Sequence, residues 1–189
     1  DPYHFACDGP FLGVPHGLNV LTNLPFLFIG LWGIYAVLRG RCAAGLSCFD
    51  AMGLWISTAL LCFGSGAYHY FLNPEGLAVD RACIAGIMAF VGADALVVTL
   101  GWKPDWRRSL LFLGVALSTV VLWYFGASMW LYGGLQAIGG IAVIALFVRA
   151  QRSGRIRWSH AKPIFWFLGL YAASKLVEGA DVPICEMTG

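Results

Sequence analysis

The chain turns back on itself within the sequence Phe63-Gly-Ser65-Gly-Ala-Tyr-His69-Tyr-Phe-Leu-Asn-Pro-Glu-Gly-Leu-Ala-Val-Asp80-Arg81. Ser65 and His69 are four residues apart, so on a helix they share one face. The Asn-Pro-Glu-Gly sequence then breaks that helix, and Asp80 opens the next apolar run. A short loop would bring Asp80 back beside His69. A hydroxyl, an imidazole and a carboxylate are costly within a bilayer, so the three residues mark a candidate site.

The composition indicates a membrane protein. Of the 189 residues, 59% are hydrophobic and 12% are charged, whereas soluble domains carry roughly 25% charged residues. The mean hydropathy is +0.74. Because lipid offers no partner to backbone polar groups, we predict an all-α transmembrane helix bundle that forms a single domain over residues 1–189. The net charge of +2 is too small to indicate a nucleic-acid partner.

The apolar runs define the predicted spans. A helix needs about 20 apolar residues to cross the hydrocarbon core. The uncharged run from Ser109 to Val148 is too long for one span and is best divided at residues 126–128, Gly-Ala-Ser. The pattern therefore predicts six spans, at residues 20–38, 51–72, 80–101, 108–126, 129–149 and 162–179.

Basic residues in short loops predict the orientation, since Lys and Arg favour the cytoplasmic side. They follow the first, third and fifth spans, whereas the other loops are mostly neutral or acidic. We therefore expect the N-terminus outside, with Ser65, His69 and Asp80 near the outer face. The basic residues are Arg39, Arg41, Lys103, Arg107, Arg108, Arg149, Arg152, Arg155, Arg157 and Lys162.

The six cysteines divide by the compartment that each is expected to face. Cys7 and Cys185 fall on the outer, oxidising side, and we predict a disulfide between them, with two free or separately buried thiols as the alternative. Cys42 and Cys48 lie in a loop assigned to the reducing cytoplasm, and no further ligands lie beside them to favour a metal site. The remaining two are expected to be buried thiols within spans: Cys62 and Cys83.

Three motifs resemble one family of membrane proteins. Gly-Ser65-x-x-x-His69, followed eleven residues later by Asp80, resembles the alkaline ceramidases and their superfamily, which includes the adiponectin and progestin receptors. The entry to the first span, His16-Gly-Leu-Asn-Val-Leu-Thr-Asn, is similar to the family's Glu-x-x-Asn-x-x-Ser-Asn. Residues 175–181, Lys-Leu-Val-Glu-Gly-Ala-Asp, resemble bacterial ceramidase-like proteins.

The resemblance implies seven transmembrane helices, with the N-terminus outside, and a zinc ion within the membrane. In the family, one histidine of the second helix and two of a seventh-helix His-x-x-x-His hold the zinc. Carried over to this chain, His69 is the zinc ligand, Ser65 is the hydroxyl partner, and Asp80 is the acid/base or supporting carboxylate. The family also has a cysteine bridge that resembles Cys7–Cys185.

The chain departs from the family pattern in two places. None of its four histidines, at 4, 16, 69 and 160, lies in a His-x-x-x-His, and a catalytic zinc normally has three protein ligands. We therefore expect a seventh helix after Gly189 that supplies two more. In the segment that corresponds to the family's calcium site, His16 replaces a glutamate, and only Asp8 and Asn19 remain as obvious oxygen ligands. Calcium prefers six to eight oxygens and is not predicted.

Other interpretations of the same three residues stay open. Ser65, His69 and Asp80 could form a serine-type catalytic triad, although such triads usually draw their members from separate elements. His69 could instead hydrogen-bond across helices. Ser65 could bond to a carbonyl of its own helix, and Asp80 could cap the helix that it opens.

Three more charged residues fall inside predicted spans: Asp94, Lys175 and Glu178. Charges at such positions should face the bundle and pair with one another. We expect Lys175 to pair with Glu178 or with Asp94. A proton or substrate path is the alternative.

Together these features predict a zinc-dependent hydrolase that acts on a lipid amide drawn from the membrane. The predicted location is a bacterial inner membrane, with the site toward the periplasm. The alternative is a non-catalytic accessory subunit of a larger membrane complex, built on the same scaffold, because the histidine pair is missing from the sequence.

Overall fold

The structure, a computed structural model, describes residues 9–42 and 47–179, without the side chains of residues 159–161, 163–164, 175 and 177–179. Within these ranges the chain forms helices joined by short connections, with one small bridge between Phe11 and Val14. The helices are α1 (Gly17–Leu21), α2 (Leu24–Leu38), α3 (Cys48–Phe71), α4 (Pro74–Leu100), α5 (Trp106–Tyr124), α6 (Met129–Arg152) and α7 (Trp158–Gly179).

Among the described residues, five helical stretches are long and apolar enough to cross a membrane. Among the described residues of α7, Phe165–Ser174 form an apolar segment. The five long stretches correspond to the first five predicted spans and α7 to the sixth, which confirms the predicted all-α transmembrane bundle. The stretches are Gly17–Leu38, Cys48–Phe71, Pro74–Leu100, Trp106–Tyr124 and Met129–Arg152.

The first predicted span is built from two helices, α1 and α2. Pro25 lies in the first turn of α2, where a missing N–H costs no helical hydrogen bond. At the break, the buried Asn23 amide donates to the Asn19 carbonyl at 2.6 Å. The side chain thereby satisfies a carbonyl where the helical ladder is interrupted.

α3 and α4 form a hairpin with a two-residue turn. Leu72 takes the left-handed conformation, with φ of 47°. Asn73 then caps α4: its side-chain oxygen accepts a hydrogen bond from the Gly76 N–H at 2.7 Å, and Pro74 takes the first helical position. α4 therefore begins earlier than the predicted residue 80. The interpretation of Asp80 as a helix cap is wrong, because Asp80 lies in the second turn of α4.

The hairpin keeps one register along its whole length. At four levels a glycine of one helix faces a residue of the other, and each step along α3 is matched by a nearly equal step back along α4. At every level a Cβ placed on the glycine would come within 3.3 Å of the opposing residue. The opposing pairs are Gly76 with Tyr68, Gly64 with Asp80, Gly86 with Ser57, and Gly53 with Phe90.

α4 is the centre of the bundle and packs against α3, α5 and α6. Its small residues Ala85, Ala93 and Ala95 are at most 2% exposed. α5 and α6 are separated by Gly126, which has φ of 101°, and by Ser128, which caps α6. The predicted division at residues 126–128 is therefore confirmed.

The two ends of the bundle differ in charge. Because successive long helices alternate in direction, the C-terminal ends of α2, α4 and α6 share one end of the bundle, which we name the basic end. The turns 72–73 and 125–128 share the opposite end, which we name the Asn73 end. Ser65, His69 and Asp80 all lie toward the Asn73 end.

Candidate functional site

Ser65 and His69 continue an apolar stripe of α3. Leu54 and Leu61 lie on this stripe, in a cluster that α3 forms with α4 and with Phe167 of α7. Ser65 follows Leu61 by four residues and His69 follows Ser65 by four, so all of them share one helix face. Both polar side chains are partly buried. They therefore lie above the apolar cluster, toward the Asn73 end.

Asp80 continues the matching stripe of α4. Ile84, Ile87 and Val91 follow one another at intervals of three and four residues, and they belong to the same cluster as Leu61. Asp80 precedes Ile84 by four residues and is partly buried. Ser65 and His69 on α3 and Asp80 on α4 thus lie on facing helices, between the shared apolar cluster and the Asn73 end.

Gly64 lets the two helices approach closely at this level. A Cβ on Gly64 would lie 3.2 Å from Cγ1 of Val79 and 3.3 Å from the backbone nitrogen of Asp80. Nearer the turn, a Cβ on Gly76 would lie 2.9 Å from the Cα of Tyr68. The Asp80 backbone therefore lies opposite Gly64, the residue that precedes Ser65.

The direction of helical side chains brings His69 and Asp80 closer together. Side chains lean toward the N-terminus of their own helix. Because α3 and α4 are antiparallel, His69 leans away from the turn, toward the level of Ser65, whereas Asp80 leans toward the turn and the level of His69. An imidazole and a carboxyl thus approach one level of the bundle from two helices, with the Ser65 hydroxyl on the same face as His69, one turn farther from residue 73.

The Ser65 hydroxyl makes no hydrogen bond with any residue that the structure describes. Thr58, on the same helix, behaves differently, since its hydroxyl donates to the Leu54 carbonyl at 2.8 Å. The interpretation that Ser65 bonds to its own helix is therefore wrong.

Aromatic residues of α5 and α6 cover the Asn73 end of α4 beside Asp80. The Arg81 guanidinium lies 3.9 Å from the ring centroid of Trp123 and 5.6 Å from that of Tyr132, within the range of cation–π attraction. The buried Tyr132 hydroxyl donates to the Arg81 carbonyl at 3.4 Å. The guanidinium is thereby directed toward α5 and α6.

A zinc ion would find part of a ligand set at this level. Catalytic zinc sites normally have three protein ligands, drawn from imidazole, thiolate and carboxylate groups. His69 offers an imidazole and Asp80 a carboxylate. Within residues 9–42 and 47–179, no group of three or more His, Cys, Asp and Glu side chains could hold a metal. The described residues thus fit such a site in ligand type and fall short in ligand number.

Two sequence predictions lie outside the described residues. Cys7 and Cys185, the predicted disulfide pair, both lie outside the ranges that the structure describes. Lys175 and Glu178 belong to α7, but their side chains are not described, so their predicted pairing also stays a prediction.

An acidic pair, the buried Asp50 and the half-buried Asp94, lies toward the basic end, and sequence reasoning singled out only Asp94. The Asp94 carboxyl lies near enough to the Asp50 carboxyl for the two to interact electrostatically. Ser47 joins the two, since its N–H donates to Asp94 Oδ1 at 3.4 Å and its Oγ accepts from the Asp50 N–H at 3.2 Å. Asp50 is 0% exposed, and no described residue donates to its carboxylate oxygens.

Cys42 and Cys48 form a disulfide, with their Cα atoms 5.6 Å apart. The sequence placed both in a loop assigned to the reducing cytoplasm, and we predicted no disulfide between them. Cys48 begins α3 and lies only six positions after Cys42 in the sequence. The expectation of buried thiols is confirmed for Cys62 and Cys83.

A large cavity, of about 560 Å³, lies beside the α3–α4 contact as an apolar groove between α3, α4 and α5. Glu75 and Tyr124 stand at its end nearest residue 73, where the Tyr124 hydroxyl donates to Glu75 Oε1 at 3.3 Å. Ser65, His69 and Asp80 do not line it. The groove and the polar stripes are therefore separate features.

Comparisons with protein-family models, with curated proteins and with solved structures give no match for this chain. The placement of Ser65, His69 and Asp80 on facing helix stripes is consequently the main structural observation from which a function can be argued.

Proposed function

We propose that the protein is a membrane-embedded, zinc-dependent hydrolase of a lipid amide, with Ser65, His69 and Asp80 in its active site. The observation that carries the proposal is the pairing of two helix stripes above one apolar cluster. Polar groups collected at this depth are costly unless they serve a ligand or a reaction. The resemblance of the Ser-x-x-x-His and Asp pattern to the alkaline ceramidases supports a lipid amide as substrate.

Each of the three residues has a role that suits its chemistry. His69 would contribute one zinc ligand, and the remaining ligands would have to come from residues outside the described ranges. Zinc, when bound, supplies Lewis-acid activation of the scissile carbonyl. Asp80 takes a proton from the attacking water and delivers it to the leaving amine. The Ser65 hydroxyl, which is not bonded to its own helix, donates a hydrogen bond to the oxyanion that develops on the carbonyl oxygen.

The membrane location suits such a substrate. A lipid amide can enter sideways from the bilayer, since its chains stay in hydrocarbon while the amide lies near the interface. The basic end marks the cytoplasmic side by the distribution of Lys and Arg. In a bacterial inner membrane, this orientation places the Asn73 end and the proposed site toward the periplasm.

The proposal is tested on the purified full-length protein by zinc content and by hydrolysis of a fluorescent short-chain ceramide. We expect one zinc per chain and release of the fatty acid. His69→Ala should lose both. Asp80→Asn should retain zinc but lower kcat by about 10²–10⁴-fold, the usual contribution of a general acid–base group. Tyr70→Phe, at an exposed neighbouring position, is the matched control and should leave both unchanged.

Other results would redirect the assignment. Protein that binds no zinc and hydrolyses no amide overturns the proposal, and its stable co-purification with other membrane proteins would favour the accessory-subunit alternative. Hydrolysis that resists metal chelators and disappears in Ser65→Ala would favour the serine-type triad.

A further inference from the structure

A small cavity of about 230 Å³ lies at the basic end, between the C-terminal ends of α4 and α6. Two arginines line it: Arg149 from the last turn of α6 and Arg155 from the connection that follows. Leu100 of α4 and Leu146 of α6 form apolar parts of its wall. The cavity therefore combines positive charge with an apolar side.

The turn after α6 fixes the position of Arg155. The Ser153 hydroxyl donates to the Ala150 carbonyl at 3.0 Å, and Gly154 takes φ of 71°. The chain then doubles back, so that the Arg155 N–H donates to the same carbonyl at 2.9 Å. At the other end of the side chain, Nη1 donates to the Thr99 carbonyl at 3.0 Å. The guanidinium is thus anchored before any ligand arrives, which lowers the entropic cost of binding.

Among the described residues, no carboxylate neutralises the charges of the two arginines. Neither Arg149 nor Arg155 has a carboxylate partner in the part of the chain that the structure describes. Trp106 and Trp158, which are about half exposed, begin the neighbouring helices at this same end. Tryptophan favours the membrane–water interface. The cavity therefore lies at the depth of lipid headgroups.

We propose that this cavity binds the phosphate group of an anionic phospholipid. Guanidinium and phosphate groups form charge-assisted hydrogen bonds, often two at a time. Basic pockets between transmembrane helices suit anionic headgroups at the cytoplasmic side. With the phosphate between Arg149 and Arg155, the acyl chains pass along the Leu100 and Leu146 side into the bilayer. The site is independent of the proposed hydrolase activity.

The experiment measures thermal unfolding of the delipidated full chain in neutral detergent, with added phosphatidylglycerol, phosphatidylcholine or inorganic phosphate. Arg149→Gln/Arg155→Gln is the test variant. Arg152→Gln/Arg157→Gln is the matched control, since it removes the same charge from nearby positions that do not line the cavity. Phosphatidylglycerol should raise the midpoint of the parent and the control. The test variant should need about tenfold more lipid for the same rise, because two charge-assisted contacts are lost.

Arg149→Gln alone is measured as well, because Arg155→Gln also removes the hydrogen bond to Thr99. A weakened response to phosphatidylglycerol in this single variant supports the cavity as the site. An equal loss in the Arg152→Gln/Arg157→Gln control overturns it, since only net charge would then matter. Protection by inorganic phosphate without any protection by phosphatidylglycerol also overturns the lipid proposal and indicates a soluble phosphate compound.

Discussion

At the scale of single residues, the burial of the Asp50 carboxyl lowers the stability of the bundle. It is 0% exposed, no described residue donates to its carboxylate oxygens, and its nearest acidic neighbour is Asp94. Burial of a charged group is costly without a partner. A second carboxyl beside it adds repulsion whenever both are ionised, and that repulsion is stronger in a medium of low dielectric constant. Removing the charge of one of the two carboxyl groups should therefore increase the free energy of unfolding.

Asp50→Asn is expected to stabilise the protein by about 1–2 kcal/mol, because an amide has nearly the size of a carboxyl and can donate a hydrogen bond to Asp94. The measurement is the free energy of unfolding from an SDS titration in mixed micelles. Asp105→Asn is the control. Asp105 is an exposed cap that accepts from the Arg107 N–H at 3.0 Å. Since Asn caps helices about as well as Asp, the control should change stability by less than about 0.5 kcal/mol. Destabilisation by Asp50→Asn would show instead that the carboxylate holds a cation.

At the scale of elements, the α3–α4 hairpin determines how the polar residues meet. Four glycine contacts hold the two helices at close range from Tyr68 and Gly76 near the turn to Gly53 and Phe90 toward the basic end. Small residues at such contacts allow packing between backbones, which is a main source of helix association in lipid. The contact at Gly64 matters most for the proposed site, because it lies at the level of Ser65 and Asp80.

Gly64→Ala is expected to leave the hairpin less stable than Gly66→Ala, by about 1 kcal/mol or more, through overpacking. The added Cβ would meet Val79 and the Asp80 backbone at 3.2–3.3 Å. Gly66→Ala is the matched control on the same helix, where a Cβ would meet nothing within 4 Å. The control should gain up to about 1 kcal/mol from helix propensity. SDS unfolding of the two variants checks the difference, and equal stabilities would contradict the close contact at Gly64.

The hairpin also shows which parts of the fold and of the candidate site could be predicted from the sequence. The four-residue spacing of Ser65 and His69 was enough to place them on one face of α3. The start of α4 was predicted too late, because Asn73-Pro74 was taken only as a break, although Asn followed by Pro is also a signal for the cap and first position of a helix. With the turn placed at 72–73, an equal count back along both helices brings Asp50 opposite Asp94. That pairing could therefore have been found from the turn length.

The Cys42–Cys48 disulfide was missed for a different reason. The expectation rested on the redox state of the compartment to which the loop was assigned, and not on the short spacing of the two residues. The spacing of two cysteines in the sequence shows whether they can come close enough to bond, whereas the redox state of the compartment decides only whether a disulfide persists there. The disulfide therefore depends on the orientation of the whole bundle, a property that no single element decides.

At the scale of the whole molecule, charge is distributed unevenly along the membrane normal. The basic end carries the connections after α2, α4 and α6, together with the phospholipid cavity proposed above. The Asn73 end carries Ser65, His69 and Asp80. Since Lys and Arg favour the cytoplasmic side, the charge asymmetry predicts that the two proposed sites face opposite leaflets. The disulfide at the basic end argues in the other direction, because disulfides persist in oxidising compartments.

Single cysteines at the two ends decide between these orientations. Phe125, 80% exposed, lies at the Asn73 end, and the exposed Gln151 lies in the last turn of α6 at the basic end. In intact cells a membrane-impermeant maleimide should label Phe125→Cys well above the parent, whose native cysteines give the baseline. Gln151→Cys should be labelled only after permeabilisation. The reverse pattern would move the proposed active site to the cytoplasmic face and place the Cys42–Cys48 disulfide in an oxidising compartment, where it would be expected to persist.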